Sequence, residues 1–183
     1  ILCFDIETDL YTKHKVRKIW SIALYHKTKV KHFYAKTFAQ EKNILIDFLE
    51  YLRKYPDTPL YSYSSFDVSV LKYAYKRHKL DVNYFLKRNH FDLCALLKEH
   101  YILPLTGNGL KEVGRFFDYK FKTEYYNGLT AAREYMMYEG TGKQMSKELK
   151  NYIQDDVKVM NHIINKIKKH PDIKDIFDHP SQE

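Results

Sequence analysis

The opening octet, Ile1-Leu2-Cys3-Phe4-Asp5-Ile6-Glu7-Thr8, constrains the fold more than any other stretch of the chain. It is an apolar strand that carries two carboxylates two residues apart near its end. Strand side chains alternate between faces, so Asp5 and Glu7 project to the same side, a few ångströms from each other. At ~4 Å and an effective dielectric of about 20, two such charges repel by roughly 4 kcal/mol. A cation between them relieves that repulsion, so a divalent-metal site is the first reading of this strand.

The rest of the chain supplies a mixed layer. Ile19–Tyr25 and Lys29–Ala35 read as two further strands, joined by the polar turn His26-Lys27-Thr28 into an antiparallel pair. Lys42–Tyr55 has helical spacing at Ile44, Leu45, Phe48, Leu49 and Leu52 and ends before Pro56. Pro59–Tyr63 is a fourth short strand, and Phe66–Lys79 a helix with Val70, Leu71 and Ala74 turned inward. From residue 80 onward the pattern is helical, with candidates Val82–Arg88, Leu93–Tyr101, Leu110–Phe117, Thr130–Glu139 and Lys147–His170, separated by breaks that include Gly107, Gly109, Gly128, Gly140 and Gly142. A three-strand meander, a crossover helix, a further strand and a helical remainder define an α/β fold, its mixed sheet covered by helices. Residues 1–170 are expected to form one domain, followed by a C-terminal tail, 171–183.

An acidic site needs more carboxylates than one pair, and two other places offer them. In Leu149-Lys150-Asn151-Tyr152-Ile153-Gln154-Asp155-Asp156-Val157, the residues Leu149, Ile153, Met160 and Ile167 form an apolar stripe. At 100° per residue Asp156 falls about 20° from Leu149, and Asp155 about 100° further round. Asp156 is therefore expected to face the core and Asp155 to face solvent. Tyr152, four positions before Asp156, shares its face. A half-buried acid satisfied by the protein is an equally good reading of Asp156 alone. Asp67 stands where the fourth strand gives way to a helix, with Ser64 or Ser65 available as cap. By itself it reads as an acid in a first helical turn, where it meets the helix dipole favourably. Asp92, before an apolar helix, reads as a structural N-cap.

Charge bears on the partner. The formal net charge is +8, with 17 Tyr and 11 Phe among 183 residues. A basic, aromatic-rich surface suits nucleic acid better than an acidic small molecule or a membrane, although lysine-rich composition alone explains the charge equally well. Cys3 and Cys94 make no disulfide framework and read as small core residues, which points to a reducing, cytoplasmic compartment. No apolar run spans a bilayer. The chain starts inside a strand without Met, so it is expected to be part of a larger polypeptide.

Asp5-Ile6-Glu7, Phe66-Asp67 and Tyr152-Ile153-Gln154-Asp155-Asp156, taken together and in order, resemble the DEDD superfamily of 3′–5′ exonucleases, which have an RNase H-like fold. The Tyr four residues before the last Asp resembles the tyrosine subclass. The stretches from Asp92 to Lys111 and from Tyr152 to Val157 are similar to the stand-alone or helicase-fused RNase H-like nucleases of bacteria and archaea. Where polymerase proofreading members carry an Asn shortly before the second-motif Asp, this chain has Tyr63-Ser64-Ser65-Phe66, which favours the stand-alone branch.

The resemblance implies that Asp5, Glu7, Asp67 and Asp156 are metal ligands for two divalent cations, Mg²⁺ or Mn²⁺, whose hard character suits carboxylate oxygen. It implies that Tyr152 positions the attacking water, since a phenol with a pKa near 10 is a poor base at neutral pH. Single-stranded DNA or RNA would be shortened from its 3′ end to 5′-mononucleotides, as in DNA repair, with Thr8 and Lys111 as substrate-binding candidates. Two other readings stand beside it: a structure-specific endonuclease on the same fold, and a catalytically silent nucleic-acid-binding domain.

Overall fold

The strand that opens the chain lies at the centre of the sheet. The computed structural model describes residues 1–10, 16–124 and 126–169. Strand β1 (Leu2–Thr8) pairs antiparallel with β2 (Ile19–His26), which pairs antiparallel with β3 (Lys29–Tyr34). On its other side β1 runs parallel to β4 (Leu60–Ser62), and β4 runs parallel to β5 (His90–Asp92). The order β3-β2-β1-β4-β5 is that of a five-stranded mixed sheet. His26 pairs with Lys29, so the β2–β3 link is two residues long, one shorter than expected, with Lys27 at a φ of 58°.

Alternation along β1 sorts its side chains into two cores. Leu2, Phe4 and Ile6 face helix α1 (Glu41–Arg53) and helix α2 (Ser65–Arg77), where they pack with Ile44, Leu45, Phe48, Leu71 and Ala74. Cys3 faces the opposite layer. That layer contains α4 (Leu93–His100), α5 (Leu110–Phe116), α6 (Gly128–Tyr138) and the long α7 (Lys147–Lys168). The short α3 (Asn83–Leu86) leads into β5. The apolar stripe of α7 is realised: Leu149, Ile153, Met160 and Ile167 are all buried, each side chain contributing roughly 1.5–3 kcal/mol of burial. Gly114 lets α5 approach α7 closely, since a Cβ there would lie 2.5 Å from Val159 Cγ2 and 2.9 Å from Phe121 Cζ.

Two expectations need correction. The segment after residue 80 is not wholly helical, because His90–Asp92 extends the sheet as β5. Three residues are too few for a two-residue period to register, and the strand exists because β4 offers its free edge: Leu60, Tyr61 and Ser62 pair with His90, Phe91 and Asp92. Asp155 does not face solvent; it is 1% exposed. The segment after α5 folds over that flank of α7, and Asp155 accepts hydrogen bonds from Tyr119 Oη (3.1 Å) and from the backbone N–H of Lys122 (2.7 Å). Asp92 caps α4 as expected, accepting from Cys94 and Ala95 N–H, and also from Ser64 N–H. The expected tail, 171–183, and the final residue of the expected last helix, His170, lie outside the described residues.

Candidate active site

The two edges of β1 differ in what happens past its midpoint. Beside β4, pairing stops at Cys3↔Tyr61, so the segment bearing Asp5 and Glu7 runs beyond the parallel strands with that side open. On the other side Asp5 and Glu7 remain paired with Ala23 and Ser21, and the register shifts between Glu7 and Thr8. A crevice thus opens at the carboxyl ends of the parallel strands, the usual place for a site in an open α/β sheet. The end of β4 delivers Asp67 to the same crevice. Ser64, held at a φ of 85° and capping Phe66 N–H, turns the chain sharply into α2. From the layer above, α7 brings Tyr152 and Asp156.

The resulting cleft, of about 630 Å³, is lined by every residue that the sequence offers as ligand, water-positioning group or substrate contact: Asp5, Glu7, Thr8, Asp67, Lys111, Tyr152 and Asp156. Asp5, Glu7 and Asp156 each offer a carboxylate oxygen within 4.8 Å of the other two. Asp67 stands outside that triad, at the wall of the cleft, and is coupled to it electrostatically. Glu7, Asp67 and Asp156 are nearly fully buried, and Asp5 partly so.

Burial of several acids together makes their charge costly. Burial first, and then Asp67, Asp156 and Glu7, hold the Asp5 carboxyl well above its ordinary range. Burial and the charge of Asp156 do the same to Glu7, against an opposing hydrogen bond from Tyr152. Asp67 is raised by burial and by Asp156 and Asp92. Asp156 is pushed up to about 7 by burial, although Lys111 and a hydrogen bond from Tyr152 pull it back. The Tyr152 hydroxyl, buried beside Glu7 and Asp156, is itself raised and so keeps its proton at neutral pH. A set of converging carboxylates that cannot all ionise comfortably suits a hard divalent cation, and such a cation would be held by Asp5, Glu7 and Asp156.

The two substrate-binding candidates have protein partners already. The Lys111 ammonium donates to the carbonyls of Thr123 (3.1 Å) and Tyr126 and lies 5.2 Å from the centre of the Tyr152 ring. It ties the loop after α5 to the cleft wall while adding positive charge beside Asp156. Thr8 Oγ1 donates to the Asp9 carbonyl and accepts from Arg17.

Arg17 and Asn127, which nothing in the sequence marks, and Gly128, marked there only as a break, also line the cleft. Arg17 reaches in from the β1–β2 connection, its guanidinium 5.3 Å from the centre of the Phe66 ring. Asn127 and Gly128 bring the first turn of α6 to the cleft, with a Cβ at Gly128 lying 3.9 Å from Glu7 Oε2. These residues sit in connections or helix starts, where no hydrophobic period marks them.

The architecture is that of a mixed α/β domain with an acidic crevice at the carboxyl ends of its parallel strands. The chain belongs to the RNase H superfamily, whose family model matches residues 2–168. Among solved structures, the Nibbler EXO domain of Aedes aegypti superposes with a TM-score of 0.54, covering 98% of this chain and 80% of that one. Identity is 14%, so the likeness is one of fold. No curated protein matches the chain by sequence. No described helix is long and apolar enough to cross a membrane. The fold is that of RNase H-like nucleases, whose substrates are nucleic acids.

Proposed function

We infer that this domain is a metal-dependent 3′–5′ exonuclease of the DEDD tyrosine subclass, acting on single-stranded DNA or RNA. The observation that carries the reading is the meeting of Asp5, Glu7 and Asp156 within 4.8 Å, with Tyr152 lining the same cleft beside Glu7 and Asp156. Asp5, Glu7 and Asp156, with Asp67 at the wall, would hold two divalent cations, Mg²⁺ or Mn²⁺. Such ions polarise a scissile phosphate, activate water and neutralise charge on a departing oxygen.

The residues have separable tasks. The carboxylates fix charge where a phosphate diester must enter. The Tyr152 hydroxyl, protonated because burial and its acidic neighbours raise it, orients water rather than accepting a proton. Glu7 and Asp156 beside that hydroxyl favour its protonated form. Thr8, Arg17 and Lys111 line the walls along which the 3′-terminal nucleotide would lie. The product is a 5′-mononucleotide.

The test is degradation of 5′-labelled single-stranded DNA and RNA in Mn²⁺, with Asp156→Asn as control. A ladder shortening from the 3′ end in the wild type, and no shortening in the variant, is expected. Equal activity in the two proteins would remove the acidic cleft from the chemistry.

A further inference from the structure

Outside the cleft, the most organised unassigned surface is a line of rings and cations that leaves it along α7. It begins at Lys111, whose ammonium lies 5.2 Å from the centre of the Tyr152 ring and 5.7 Å from that of Phe121. Arg115 stands 5.9 Å from the same Phe121 ring, and Tyr119 packs edge-on against Phe121 at 4.9 Å. Tyr119 in turn meets the His162 ring at 5.4 Å. Two grooves follow this line. One of about 370 Å³ is bordered by Arg115, Tyr119, Lys120 and Phe121, and one of about 440 Å³ by Tyr119, Lys158, His162 and Lys166. Tyr119 is shared by both, so they are consecutive.

The chemistry of this line is that of a strand-binding surface. Cations separated by half-exposed rings offer alternate contacts to phosphates and to bases, and base stacking on rings tolerates any sequence. Two acids border it, Glu124 at 3.6 Å from Arg115 and Asp118 at 3.5 Å from Lys166. Both carboxylates are more than half exposed, and exposed pairs of this kind are weak enough to yield to a phosphate. Asp155, which lies beneath, is taken up by Tyr119 and Lys122. None of the non-buried positions of α7 after Glu148 is acidic. From Asp156 to Lys166 the helix rises by about 15 Å, which carries the line well beyond one nucleotide.

We propose that the Arg115–Tyr119–Lys120–Phe121 groove and the Lys158–His162–Lys166 groove bind the body of a single nucleic-acid strand whose end lies in the acidic cleft. The proposal rests on the nuclease reading for the direction of the strand, but strand binding itself needs neither metal nor cleavage.

The test is therefore made in EDTA, by fluorescence anisotropy with labelled oligothymidylate long enough to cover both grooves. The triple variant Lys120→Glu/Lys158→Glu/Lys166→Glu is compared with Lys42→Glu/Lys54→Glu/Lys76→Glu, an equal change of charge at exposed positions of α1 and α2 and the residue following α1. The track triple is expected to weaken binding at least tenfold, and the distant triple less than threefold. Lys158→Ala and Lys166→Ala, milder changes on the helix surface, are each expected to reduce the salt slope by about one. Equal losses in both triples would overturn the proposal in favour of bulk charge, and so would unchanged binding in the track triple. Equally tight binding of polyglutamate would overturn it in favour of an unselective anion surface. Absence of cleavage in Mn²⁺ with strand binding intact would sink the nuclease reading and leave the track standing.

Discussion

Replacing Asp5 by Asn should make the metal-free protein more stable while removing its response to metal. Asp5, Glu7 and Asp156 approach within 4.8 Å, where an ionised pair repels by roughly 3.5 kcal/mol at an effective dielectric of about 20. The raised carboxyls avoid part of this by keeping protons, so about 1–2 kcal/mol is expected to be recovered at about pH 8. For a chain of 183 residues each kcal/mol moves the unfolding midpoint by about 2–4 °C, giving a rise of about 2–8 °C. Differential scanning calorimetry in EDTA measures it. Millimolar Mn²⁺ should then raise the midpoint of the wild type but not that of Asp5→Asn, because the variant has lost a ligand. A lower midpoint for Asp5→Asn in EDTA would refute the reasoning, since it would make Asp5 a structural acid rather than one kept at a cost for a cation.

Four further outcomes follow from individual contacts. In the metal-free protein, wild type should lose stability relative to Asp156→Asn as pH rises from the ordinary carboxylate range to about 7, because the folded state holds the Asp156 proton more tightly than the unfolded chain does; a difference between the two proteins that stays constant in urea titrations across that range would show this to be wrong. Glu41, fully buried, accepts from Arg77 (2.6 Å), His78 (2.7 Å) and Ile19 N–H (2.7 Å); burial raises its pKa, but these bonds outweigh burial and lower it overall. Glu41→Gln should cost about 3 kcal/mol at neutral pH, and the difference from wild type should vanish as pH falls through the depressed folded pKa. Asp155→Ala should cost about 2–3 kcal/mol by freeing the Tyr119 and Lys122 contacts, measured by urea unfolding; a neutral change would mean the loop is held by other means. Tyr152→Phe should lower turnover about tenfold or more while Mn²⁺ still raises the unfolding midpoint, and loss of that rise would contradict a role confined to water.

What could be read from the sequence was whatever a period encodes. The alternation of β1 set Asp5 and Glu7 on one face, and the helical period of α7 placed Tyr152 and Asp156 on the side that meets them. Asp67 was ambiguous, because an acid at a helix start looks the same whether it serves the helix or a site; only its place in the ordered set of motifs lifted it. Asp155 was misplaced for a physical reason. A helical wheel locates the centre of the buried arc but not its width, and here the loop from Tyr119 to Lys122 widens it. The strand at His90–Asp92 escaped because it depends on the edge offered by β4 rather than on its own residues. Arg17 and Asn127 line the cleft from positions just before β2 and α6, where no hydrophobic period marks a residue.

The most direct measurement is product analysis on two single-stranded substrates of the same sequence, one linear and one a covalently closed circle, in Mn²⁺. The account predicts 5′-mononucleotides from the linear strand, an intact circle, and neither reaction with Asp156→Asn. Nicked circles without mononucleotides from the linear strand would contradict it and assign the acidic cleft to an endonuclease.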